Sequence, residues 1–106
     1  MNTNSLKAYE AKFGAVAMEM RVGAMLFEAN EFLGGGMDGN VLKAMARMLL
    51  DDFGSRTAGC FIMAIKAGVK KLTIGHKLTY PILCEWMHEQ DKRVEEHNFN
   101  EYLSHK

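Results

Sequence analysis

The chain has 106 residues, no net charge, nine methionines, two cysteines and one proline, which is enough for one hydrophobic core in a single domain spanning residues 1–106. Its apolar fraction of 48% excludes intrinsic disorder, and no apolar run is long enough to cross a bilayer. The polar start Met1-Asn2-Thr3-Asn4-Ser5 lacks secretory character and the two cysteines lie far apart, so free thiols in the cytoplasm are expected.

Helical spacing predicts a first long helix over residues 5–33, capped by Asn4 or Ser5 and stopped at Gly34-Gly35-Gly36. At about 100° per residue it carries two opposed apolar stripes. One collects Leu6, Tyr9, Phe13, Val16, Met20 and Phe27; the other collects Met18, Val22, Met25, Ala29 and Phe32. A surface helix needs only one such stripe. The first is expected to be core. The second is either another core layer or a docking surface, which makes Met18, Val22, Met25 and Phe32 the candidate partner-binding residues. Methionine suits surfaces that repack around a partner. Gly14 and Gly23 cost about 1 kcal/mol each inside a helix, which points to close approach of a neighbouring helix.

A second helix is predicted over 40–53, capped by Asp38 or Asn40 and ended by Gly54, with Val41, Leu42, Met45, Met48, Leu49 and Phe53 at helical spacing. A third follows over 57–67, capped by Ser55 or Thr57, with Phe61, Ala64 and Ile65 inward and Gly68 as its stop. Val69 to Lys77 reads as an ordered loop. Thr79 caps a fourth helix with Pro81 in its first turn and Ile82, Leu83, Trp86, Met87 and Val94 buried. Asn98 starts a last short turn containing Phe99, Tyr102 and Leu103. The expected architecture is all-α: an irregular bundle of four helices plus a C-terminal turn, with the long N-terminal helix central.

The charges are partitioned. Residues 1–39 carry three basic and five acidic side chains, residues 40–80 seven and two, and residues 81–106 three and six. A basic middle between acidic ends serves either internal balance or a charged partner. Lys66, Lys70, Lys71, His76 and Lys77 cluster near the loop and are candidates for contact with a phosphate backbone. No aromatic side chains accompany them for base stacking, so a solvated surface is the competing reading.

Cys84 and His88 share a helix face, with Asp91 and His97 nearby in sequence, but a closed zinc site needs four ligands and Cys60 lies on another helix. Cys84 reads as a small apolar residue, and neither metal nor cofactor is expected. There is no nucleophile elbow, phosphate loop or metalloprotease helix, and Asp51-Asp52 diverge on their helix. The chain reads as a non-enzyme.

A helix ending Leu49-Leu50-Asp51-Asp52-Phe53-Gly54, a Thr57-capped helix closing at Gly68, a linking loop, and Leu78-Thr79-Tyr80-Pro81-Ile82-Leu83 leading to Trp86 and Arg93 form one pattern. Between Val41 and Arg93, about half the chain, this resembles small helical replication accessory proteins of bacteriophages and mobile elements that are similar to helicase loaders. The resemblance implies an adaptor that docks on a larger protein or ribonucleoprotein such as a helicase or initiator. A phage inhibitor of a host defence nuclease, as anti-CRISPR proteins are, is the alternative, and a self-associating helical homodimer is a third.

Overall fold

The computed structural model describes residues 4–104. Five helices follow in order: α1 (Leu6–Phe13), α2 (Ala15–Phe32), α3 (Gly39–Phe53), α4 (Ala58–Val69) and α5 (Tyr80–Ser104). The fold is all-α, and its extents of 50 × 35 × 17 Å make a slab about two helices thick.

Short polar side chains start three of the helices, each accepting a hydrogen bond from a backbone N–H that has no intrahelical partner. Ser5 Oγ accepts from Ala8 (3.1 Å), Asp38 Oδ1 from Asn40 (2.7 Å) and Thr57 Oγ1 from Cys60 (3.2 Å). At the end of α2, Gly34 and Gly35 take positive φ, and the Gly35 N–H donates to Asn30 O at 2.7 Å. This closes the helix with a left-handed cap.

The expected long first helix is two helices. Gly14 sits at φ 95° and ψ 156°, a region open essentially to glycine alone, and the chain turns there. α1 docks on the α3–α4 turn: the Leu6 N–H donates to Arg56 O (3.0 Å) and the Lys7 N–H to Gly54 O (2.8 Å), beside an isolated bridge between Ser5 and Thr57. Beyond the turn, α2 packs on α3 and α4 and is the central element.

This break overturns the expected core. Leu6 is buried, but Tyr9, Phe13, Val16, Met20 and Phe27 are exposed. The opposite face of α2 enters the core through Met18, Val22, Leu26 and Ala29, and Leu33 follows at its end. Met18 and Val22 are therefore withdrawn as docking residues: at 4% and 0% exposure no partner reaches them. Both faces of the segment are apolar, and the sides on which α3 and α4 lie decided between them.

The rest of the core comes from Leu42, Ala46, Leu49 and Leu50 of α3, Phe61 and Ala64 of α4, Leu78 of the loop, and Leu83, Trp86 and Met87 of α5. Burying such side chains contributes roughly 1.5–3 kcal/mol each. Gly68 does not stop α4; it lies in its last turn, buried under Trp86. The close approach expected at Gly14 and Gly23 is absent, as a Cβ on either would meet nothing within 4 Å. The last turn predicted from Asn98 is continuous with α5, and Val94 is exposed. No helix of the described residues is long and apolar enough to cross a membrane.

Candidate docking surfaces

The exposed stripe is ordered at its near end by aromatic stacking. The Tyr9 and Phe13 rings stack with centroids 6.1 Å apart, and Lys12 Nζ lies 5.4 Å from the Phe13 centroid, within cation–π range. Past Gly14 the stripe continues through Val16 and Met20 to Phe27, with exposures of 70%, 68% and 56%. Met20 links two shallow depressions. One is walled by Phe13, Ala17 and Arg21, the other by Gly23, Ala24, Phe27 and Leu42 with Lys43 at its edge.

Arg47 of α3 holds the two halves of the stripe at their angle. Its guanidinium meets Glu10 of α1 (3.0 Å), Glu19 of α2 (3.5 Å) and Asp51 of its own helix (2.7 Å). The hydrogen bonds it donates to Asp51 and then Glu10 raise its pKa further above the usual arginine value. The single guanidinium offsets one of these three carboxylates and ties Glu10 and Glu19 together. Among the described residues Lys12, Arg21 and Lys43, which flank the stripe, make no ion pair, so three unpaired cations border the stripe beside the Glu10, Glu19 and Asp51 cluster on Arg47.

A second apolar surface lies between α2 and α4, a groove of about 350 Å³ lined by Met25, Ala29, Phe32, Ile62, Ile65 and Val69, with Glu28, Lys66 and Lys70 at its rim. Here the structure brings together residues from two separate candidate sets. Met25 is half-buried and Phe32 is 63% exposed; both face the two lysines. Ile62 was missed because its exposed position lies between inward-facing Phe61 and Ile65, and spacing on α4 alone gives no sign of the groove.

The remaining basic candidates are used differently. Lys71 Nζ contacts Glu89 Oε2 at 2.6 Å, and that hydrogen bond lowers the Glu89 carboxyl below its usual range. The Lys77 side chain runs beside Gly36, and His76 is exposed in the loop. Arg56 pairs with Asp91 through two hydrogen bonds of 3.2 and 2.6 Å, and its guanidinium lies 5.0 Å from the Phe53 centroid. Three of the seven basic side chains of the middle serve internal balance, Arg47 for the acidic N-terminal part and Arg56 and Lys71 for the acidic C-terminal part.

Cys60 and Cys84 are free and half-buried, and His88 packs edge-on to Phe53 at 5.3 Å. Among the described residues no group of three or more His, Cys, Asp and Glu side chains is placed to hold a metal ion. Compared with protein-family models, curated proteins and solved structures, the chain matches none of them.

Proposed function

We propose that the protein is a non-enzymatic protein-binding module, an adaptor of the kind used in phage and mobile-element replication, and that its docking face is the stripe Tyr9, Phe13, Val16, Met20 and Phe27. The observation that carries this reading is the continuous exposure of these five large apolar side chains on a chain with a single small core. Patches of this kind mark interaction sites, and aromatic anchors dominate their energetics. The unpaired cations Lys12, Arg21 and Lys43 at its edge favour an apolar docking helix that carries acidic residues opposite them. The replication assignment rests on the pattern between Val41 and Arg93, with a helicase or initiator as the partner.

The test is binding of the purified protein to a replicative helicase and its initiator. Phe13→Asp and Met20→Asp should each weaken binding at least about tenfold while the helical circular dichroism and melting temperature stay unchanged. Wild-type binding by both variants would overturn the docking face. Capture of a defence nuclease through the same residues, with no helicase bound, would replace the adaptor reading with the inhibitor one.

A further inference from the structure

Gln90 is the last buried residue of α5, yet the helix continues without interruption to Ser104. Residues 92–104 are all exposed and form an arm about 20 Å long at 1.5 Å per residue. A solvated extension of this kind is expected to be polar all round. Instead Phe99 (61% exposed), Tyr102 (60%) and Leu103 (49%) sit at i, i+3 and i+4, one face of the helix. Glu95 and Glu96 lie one turn before them, so the arm is an apolar patch with an acidic lead.

The groove between α2 and α4 has the opposite character. Its floor is Met25, Ile62 and Ile65; its rim carries Glu28 on the α2 side and, on the α4 side, Lys66 and Lys70, which make no ion pair among the described residues. Lys66 and Lys70 are spaced i, i+4 along one edge, matching an acidic helix laid beside them. We propose that the groove receives the arm of a second copy of this chain, with Phe99, Tyr102 and Leu103 on its floor and Glu95 and Glu96 against Lys66 and Lys70.

A second copy is required because α5 is one uninterrupted helix. An arm that continues the axis of the helix packed on α4 cannot fold back onto its own groove without breaking. The exchange is reciprocal: each copy gives an arm and receives one, which closes a two-fold dimer with no open end. If Phe99, Tyr102 and Leu103 each cover on the order of 100 Å² and the groove wall matches them, one arm buries roughly 600 Å² on both sides together. Two such contacts reach the ~1,200 Å² at which specific interfaces begin. The surfaces involved are separate from the stripe on α1 and α2, so the proposal stands independently of the docking face.

The test is sedimentation equilibrium of the full chain over a concentration series. A dimer is expected, and Phe99→Asp combined with Leu103→Asp should render it monomeric without changing the melting temperature of the monomer, because both side chains lie outside the core. Lys66→Glu combined with Lys70→Glu should weaken association at least tenfold, and adding Glu95→Lys and Glu96→Lys should restore it. A wild-type monomer throughout the series overturns the proposal. So does a dimer that survives the arm variant, a lysine reversal that leaves association unweakened, or a charge exchange that fails to restore it.

Discussion

Gly68 and Trp86 occupy one another's space: a Cβ built on Gly68 would fall inside the indole ring, against Cδ2, Cε2 and Cγ. This contact sets how closely α4 and α5 approach, and Trp86 is only 4% exposed, so the ring has no route out. Gly68→Ala should destabilise the protein by about 3 kcal/mol and shift the fluorescence of this single tryptophan toward that of an exposed indole. Gly23→Ala, where a Cβ meets nothing within 4 Å, should instead stabilise by about 0.5–1 kcal/mol, since alanine is the better helix former. Chemical denaturation of the two variants measures both, and equal signs would contradict the packing described for α4 and α5.

Tyr80 ties the start of α5 to the end of α3, donating from its hydroxyl to Asp52 Oδ2 (2.5 Å), with Met48 O at 3.0 Å. Burial first, then the hydrogen bonds to Asp52 and Cys84, push its pKa far above the ordinary tyrosine value. A phenol held neutral in the folded state stabilises it fully below the unfolded pKa of about 10, and that contribution is lost as the pH rises from there toward the folded value. Stability should therefore fall at alkaline pH, and Tyr80→Phe should lessen the fall. Urea titrations at successive pH values, with phenolate absorbance followed in parallel, provide the measurement.

Asn30, 4% exposed, holds the loop between α2 and α3 with both ends of its amide. Oδ1 accepts from the Met37 N–H at 3.1 Å, and Nδ2 donates to Met37 O at 3.4 Å. Asn30→Asp removes the donor and buries a carboxylate facing a carbonyl, so it should cost about 2 kcal/mol. Raising the pH through the carboxyl range should deepen the loss, because the ionised form is the less tolerated one. Denaturant midpoints at acid and neutral pH check both the size and the direction.

At Gly14 the strain is conformational rather than steric, because the open space around it would admit a methyl group but φ 95° with ψ 156° would not suit one. Gly14→Ala should cost about 1–3 kcal/mol. Its diagnostic is the amide hydrogen-bond pattern by NMR, in which Met18 N–H to Gly14 O, 3.4 Å in the wild type, is the bond most altered. A substitution that leaves stability unchanged would show that the turn tolerates a side chain.

The caps Ser5, Asp38 and Thr57 were legible in the sequence to within one neighbouring alternative each, and the left-handed Gly34 and the inward set Phe61, Ala64 and Ile65 directly, because each follows from local backbone chemistry or from one-sided spacing. The phase of the first segment was not. A continuous helical projection carries Leu6 and Phe27 onto one stripe, whereas the turn at Gly14 gives α1 and α2 separate axes. Glycine at that position signals either close packing or a break, and spacing does not distinguish them. Lys66, Lys70, Met25 and Phe32 were named as candidates, but their meeting in one groove depends on how α4 crosses α2, a tertiary fact. The arm of α5 was obscured because its apolar residues resemble a short packed turn, and only their exposure reveals a helix that continues into solvent.

The docking of α1 has a consequence for how the molecule opens. In α1 only Leu6 is buried, and the helix is held by that side chain, two main-chain hydrogen bonds to the α3–α4 turn and the contact of Glu10 with Arg47. α2 buries Met18, Val22, Leu26, Ala29 and Asn30. Cohesion is thus graded along the chain, and α1 forms the least protected unit, able to detach while the remaining helices stay folded. Detachment would uncouple Tyr9 and Phe13 from Met20 and Phe27, so the two parts of the stripe are registered only while that small latch is closed.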